Sequence, residues 1–196
     1  MALPTLIYDR TQEDANRWLY LSTKLDTEGW AGLSLSEQRE WLTDLKGGYN
    51  CSDLNRVGAA VEYLGGRFRN LIIHLIAFRG EYGVASDPLF ETPYVTEDVV
   101  VAPKTDWQIT DHVRASQAAQ FLNDLSVLRS LIPLPKTAPS VPPDLTDLTI
   151  EEANDIEKLL QIVDTEITLL TEKLEKWIYD TSLSWMFSGE VFSQEV

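Results

Sequence analysis

The stretch TDHVR sets Asp111 directly beside His112. A histidine with an adjacent carboxylate is the smallest arrangement that can serve as a base held by an orienting partner. Only one other histidine exists, His74, and it sits inside the apolar run LIIHLIAF, where it reads as a core or interface residue. With two histidines and one cysteine, Cys51, the chain offers neither a disulfide framework nor a cysteine-based zinc cluster. Carboxylates are the harder case. Among 31 acidic side chains some pair always falls at the spacing that glycoside hydrolysis uses. Yet the sequence marks out no hydrophobic pocket around any particular Asp or Glu that would raise its pKa for acid work. Phosphate-cradling loops of the GxxxxGK or GxGxxG kind do not occur. The acids read as solvated helix faces and helix N-termini, and the chain as a non-enzyme without metal or cofactor.

Charge narrows the partners. Sixteen basic residues face 31 acidic ones, a net charge of −15. Such a surface repels nucleic-acid phosphates and anionic lipid head groups at long range, so neither nucleic acid nor membrane is expected as a partner. The longest apolar run, Leu71 to Phe78, falls well short of the about twenty residues a bilayer requires. The opening MALPTLIYDR lacks a basic region before an apolar run, so it does not read as a secretory signal. Synthesis and assembly are expected in a cytoplasm.

These residues have to be positioned by helices. Thr11, followed by Gln12, Glu13 and Asp14, caps a first helix with Trp18, Leu21 and Leu25 on one face. Ser36 opens a short second helix that Gly47-Gly48 ends. After Ser52, apolar residues fall at Leu54, Val57, Val61, Leu64, Phe68, Leu71, Leu75 and Phe78, in alternating steps of three and four. That is the seam of helices packed lengthwise. Gly58 and Gly65 lie beside it and imply either a close neighbouring backbone or, at Gly65-Gly66, a break in the helix. A helix from about Ala115 carries Ala118, Phe121, Leu125, Leu128 and Ile132 on one stripe. The last helix, capped by Thr149, repeats the alternation from Ile156 through Leu160, Val163, Ile167, Leu170 and Leu174 to Trp177.

Between these come two joints. Residues 80–104 read as an extended insertion with a short strand or arm around Val99 to Val101. PLPKTAPSVPPD puts five prolines into a strap over 133–143, which proline keeps extended and semi-rigid. The fold expected is mainly α, a bundle of three to four long amphipathic helices in one domain over 1–180. A C-terminal tail over 181–196 follows. Of the six tryptophans, Trp18, Trp41 and Trp177 fall on apolar stripes, while Trp30, Trp107 and Trp185 fall where exposure is expected and a glycan is a possible ligand.

Two surfaces and the tail read as contact sites. Arg56 to Arg79 holds four arginines (Arg67, Arg69 and Arg79 among them) against Glu62, a net of +3. Residues 141–170 hold eight acids, including Glu151, Glu152, Asp155 and Glu157, against Lys158, a net of −7. Such patches either steer copies together or meet within one bundle. The tail FSGEVFSQEV repeats a five-residue phrase, so in an extended chain Phe187 and Val191 face one way and Phe192 the other. With Trp185 these residues read as anchors of a docking arm.

IYDRTQEDANRW, WLTDLKGGYNCSDLNRVGAAVEYL, KTDWQITDHVRASQAAQFLNDLSVLR, LTIEEANDIEKLL and WMFSGEVF together resemble the recurring blocks of small tail-region proteins of phages and prophages of Gram-positive bacteria. The likeness covers most of the chain in the same order, least over Gly65 to Asp98. Cys51 stands where that group often has an aromatic residue. The resemblance implies a virion protein of the tail end (baseplate, adaptor or fibre attachment) whose partners are other virion proteins or copies of itself. It brings no catalytic residues. The alternatives are a carbohydrate-binding module of the same apparatus and, behind it, a cell-wall hydrolase.

Overall fold

The computed structural model describes residues 2–43, 45–82 and 99–189. Among them are five α-helices and one 3-10 turn: α1 (Gln12–Glu28), the turn Trp30–Gly32, α2 (Leu35–Thr43), α3 (Cys51–Tyr82), α4 (Ala115–Ser130) and α5 (Ile150–Gly189). The class is therefore mainly α.

Short polar sequences start these helices. Thr11 and Asp14 form a reciprocal capping box at α1. The Thr149 hydroxyl accepts from the Glu152 amide while the Glu152 carboxylate accepts from the Thr149 amide, which repeats the device at α5. At α2 the cap is Ser34 rather than Ser36. Glu37 stands three residues after Ser34 and accepts its amide hydrogen at 2.7 Å, while the Glu37 amide donates to the Ser34 hydroxyl. For α3, Asp53 accepts from the Asn50 amide and Asn50 accepts from the Ser52 amide. Four of the described helices thus start with a cap and its acid three residues on, while α4 starts at Arg114, whose amide donates to the Gln117 side chain.

The seams meet as their spacing predicts. Val57, Leu64 and Phe68 of α3, Leu125 and Leu128 of α4, and Ile156, Leu160, Val163 and Ile167 of α5 share one buried core. Partners rise together along α3 and α5: Asp53 and Arg56 lie at the level of Glu157, and Arg67 at that of Asp164 and Thr168. The two helices therefore run parallel. The chain from Val99 to Trp107 descends α3, with Arg69 donating to the Val99 carbonyl and Asn55 exchanging hydrogen bonds with Trp107. Then α4 ascends beside it, Asp124 reaching the level of Ala102.

Parallel neighbours need long returns, and this accounts for both joints. After α4 the chain must travel back about 24 Å, the length of sixteen helical residues at about 1.5 Å each. The proline strap makes that return, with Ala138 buried and Leu134, Val141 and Leu145 against the core. Asp147, at φ 54°, turns the chain just before α5.

Two open alternatives close and two expectations change. The residues 99–101 form no strand; Val99 is a core side chain that lies against α3 instead. Gly65-Gly66 does not break α3, which is continuous. A Cβ on Gly58 would stand 2.5 Å from the Lys104 carbonyl and one on Gly65 2.7 Å from Val101, whereas Gly66 has open space around it. The backbone is helical through Gly189, so Phe187 begins no extended arm and the boundary at 180 falls inside a helix. His74 is exposed rather than in the core. The rest of the insertion, 83–98, and the tail from 190 lie outside the described residues.

The glycines give a paired prediction for urea unfolding. Gly58→Ala should lower stability by about 1–3 kcal/mol through the clash with the Lys104 carbonyl. Gly66→Ala should raise it by about 0.5–1 kcal/mol through helix propensity alone. Equal effects at both would show that the descending segment does not press on α3.

Candidate functional site

Ionic chemistry concentrates at the end of the bundle where α3 and α5 begin. The Glu157 carboxylate, with no exposure, accepts four hydrogen bonds. Arg10 and Arg56 donate to Oε1, each at 2.7 Å, and the Arg56 Nε and the Ile7 amide donate to Oε2 at 2.8 and 2.6 Å. Asp53 accepts from both arginines through Oδ1. Two cations thus balance two anions. Burial opposes the charge on Arg56, but Glu157 and Asp53 outweigh it and hold the guanidinium above its ordinary pKa. The Tyr49 phenol is pushed upward by burial and by the neighbouring Glu157 and Asp53. Every carboxylate oxygen here is filled by a fixed donor, which leaves no basic oxygen to act on a substrate. The cluster is a clamp.

Its reach is wide. The backbone of Arg10 pairs with the Asn154 side chain through both its amide and its carbonyl. The segment before α1 is thereby fastened to α5, and through Asp53 to α3. Breaking one partner of such a buried set leaves an uncompensated charge, at about 3–5 kcal/mol.

Beside this rigid end stands an αα hairpin. Gly29, at φ 70°, gives the backbone conformation that lets α1 turn into the 3-10 segment. Arg17 forks onto Glu40 with bonds of 2.8 and 2.7 Å, and Lys24 reaches Glu37 at 2.9 Å. The numbering falls on one helix as it rises on the other, so α1 and α2 are antiparallel. Gly47 and Gly48 do more than end α2. A Cβ on Gly47 would strike the Asp14 carbonyl, and one on Gly48 the Trp18 indole.

The outer side of this hairpin is the candidate surface. Leu19 is 59% exposed, Tyr20 50%, Leu35 77% and Leu42 72%. Along α1 a shallow depression of about 470 Å³ follows Asn16, Leu19, Tyr20, Thr23, Lys24 and Thr27. Those positions are a regular helical stripe with spacing of three and four. Most of this stripe is polar, but Leu19 and Tyr20 at its centre are apolar and uncovered among the described residues.

The anticipated site residues fall as follows. Arg67 pairs with Asp164 and donates to Thr168, and Arg69 donates to the Val99 carbonyl, so both are engaged within the chain. Glu151 and Glu152 occupy the first turn of α5, where the helix dipole favours acids, and Glu152 is held below its usual pKa by the Thr149 amide and hydroxyl. Asp155 is half-buried and Glu157 belongs to the core rather than to a surface patch. Trp30 is 44% exposed as expected, but Trp107 is buried. Asp111 accepts from the Gln108 amide and faces Lys104, with no bond to His112. The side chains of Arg79, Trp185 and Phe187, and all of Val191 and Phe192, lie outside the described set.

Several residues escaped the sequence reading. Leu19 and Tyr20 were hidden because the face through Trp18, Leu21 and Leu25 looked sufficient for α1. Glu157 carries a legible signal, lying three residues before Leu160 and four after Ala153 on the buried face. Arg10, in an irregular segment, carries none. Among the described residues no three His, Cys, Asp or Glu side chains group to hold a metal, and no helix is long and apolar enough to cross a membrane.

The hairpin yields a pH prediction. The Ser34 amide, then Lys24 and the Ser34 hydroxyl, hold the Glu37 carboxyl down at about 2 from 4.5. A depressed carboxyl stabilises the fold above its unfolded value and loses that contribution as pH falls through the folded one. The stability lead of wild type over Glu37→Gln should therefore be full at neutral pH and close between 4.5 and about 2. A pH-independent gap in thermal melts would refute the assignment. Compared with family models, with curated proteins and with solved structures, the chain matches none of them.

Proposed function

We propose that this chain is a structural assembly protein of a phage virion, placed at the tail end as a baseplate, adaptor or fibre-attachment component, and that it works through protein–protein contacts. The observation that carries this reading is the exposed apolar pair Leu19 and Tyr20 on α1, displayed by a hairpin that stands beside a clamped bundle. Exposed apolar side chains on a helix face are what a helix-on-helix contact needs. The block resemblance in the sequence supplies the virion context.

A second copy of the chain is the occupant we assign to the stripe. Antiparallel pairing of two α1 helices centred on Ser22 sets Tyr20 of each opposite Lys24 of the other, and Asn16 opposite Glu28. Lys24 already lies 5.9 Å from its own Tyr20 ring, so the same cation–π contact is repeated across the pair. A closed two-fold contact of this kind is self-complementary. The C-terminal segment bearing Trp185, Phe187, Val191 and Phe192 is the second anchor in this reading, directed at a neighbouring virion protein.

Two measurements test it separately. Light scattering after gel filtration should give a dimer for the full chain and a monomer of unchanged helicity for Leu19→Asp, since Leu19 bears no core contact. A monomeric wild type removes the α1 contact. Mass spectrometry of purified particles should find the protein at stoichiometric abundance. Its absence removes the virion assignment.

A further inference from the structure

Four acidic side chains are buried among the described residues: Glu37, Asp53, Asp124 and Glu157. Three of them face a cation, Glu37 with Lys24, and Asp53 and Glu157 with Arg10 and Arg56. Asp124 of α4, 1% exposed, has neutral donors only. Its Oδ1 accepts from the Ala102 amide at 3.2 Å and from Gln120 Nε2 at 2.8 Å, while Oδ2 is closed to solvent and has no partner. A carboxylate buried without a cation is held in an unfavourable state, and taking up a proton relieves it.

The cations on the elements packed around Asp124 are engaged elsewhere or exposed. On the descending segment, Lys104 pairs with Asp106 and Asp111. On α3, Arg56 belongs to the clamp, Arg67 holds Asp164 and Arg69 the Val99 carbonyl, while Glu62 is exposed. On α4 itself Arg129 donates to the Pro139 carbonyl, and Lys158, Lys173 and Lys176 of α5 are exposed. Burial therefore holds the Asp124 carboxyl above its ordinary pKa, against the smaller opposing pull of its two donors.

We infer that Asp124 is a proton-operated fastening between α4 and the descending segment, closed on the Ala102 amide while the carboxyl carries its proton and loosened once it ionises. Among the described residues, three helix side chains tie that segment down. Arg69 holds the Val99 carbonyl, and Asn55 holds both the amide and the carbonyl of Trp107. Those two ties come from α3, through groups whose charge is constant from acid to neutral pH. Only the tie to α4 titrates there. The neutral acid keeps both bonds to Oδ1, which then acts as a carbonyl oxygen, and places its proton on Oδ2. Ionisation sets a charge in the same closed place, and that charge reaches water only when α4 parts from the segment. The stabilisation by the proton is full below the unfolded value of 3.8 and is lost as pH rises through the higher folded one. The fastening lies apart from the α1 contact and does not depend on it.

Two NMR readings on the full chain test it. The assigned Asp124 carboxyl carbon should titrate with a midpoint above 3.8. Amide hydrogen exchange should then show the loosening itself. The intrinsic rates of the Ala102 and Trp107 amides climb together with pH, so their ratio separates the tie to Asp124 from the tie to Asn55. The ratio of Ala102 to Trp107 exchange should rise at least about twofold as pH is raised through the midpoint, and stay flat in Asp124→Asn. A midpoint at or below 3.8 overturns the inference. So does a ratio that is flat in wild type, or one that climbs equally in a folded Asp124→Asn. The two wild-type readings decide by themselves if the variant fails to fold.

Discussion

Glu157 is the point on which the structure turns. It is an ionised side chain on the buried seam of the longest helix, where isolated charge is untenable. Everything near it answers that constraint. Arg10 arrives from an irregular N-terminal segment, Arg56 and Asp53 from the first turns of α3, and the Ile7 amide fills the last lone pair. An apolar residue in that position would pack as well and ask for nothing. What the charge adds is specification: α5 has one depth and one rotation against α3, and the segment before α1 has one place to lie.

That specification matters because the helices are parallel. Antiparallel neighbours joined by tight turns have their register fixed by the loop. Parallel ones joined by long returns do not, and a three-and-four seam tolerates sliding by a heptad. The clamp sets register near the helix starts, Arg67 with Asp164 and Thr168 sets it again further along, and Gly58 fits the Lys104 carbonyl against α3. Parallel packing also gathers helix N-termini at one end. The acids in the first turns of α3 and α5 offset that positive end, which gives Glu151, Glu152 and Asp53 a local reason to be there.

The sequence showed what depends on period. The seams of α3, α4 and α5, the caps at Thr11 and Thr149, and the proline strap were legible because each rests on spacing or on a single residue's stereochemistry. Ser34 was legible too, by the Glu three residues on, and was passed over for Ser36. What stayed hidden depends on partners distant in the chain. Arg10 finds Glu157 across 147 residues, and Trp107, held by Asn55 of α3, is buried although it sits in a loop. Charge counting left two readings open, and the part of the patches that is seen meets inside the bundle, Arg56 with Glu157 and Asp53, and Arg67 with Asp164. Leu19 and Tyr20 were hidden for the opposite reason: beside Trp18 and Leu21 they read as part of one apolar run until the fold shows which side chains are buried.

A double-mutant cycle on Arg10 and Glu157, read by urea unfolding, tests the clamp most directly. Arg10→Met and Glu157→Leu each leave the buried set with an odd charge, while the double variant leaves Arg56 balanced by Asp53. Each single change should destabilise by about 3–5 kcal/mol, and the double by well under the sum, a coupling of at least about 2 kcal/mol. Single effects that simply add would contradict the account, and would make Arg10 and Glu157 two independent residues rather than the joint that sets the bundle.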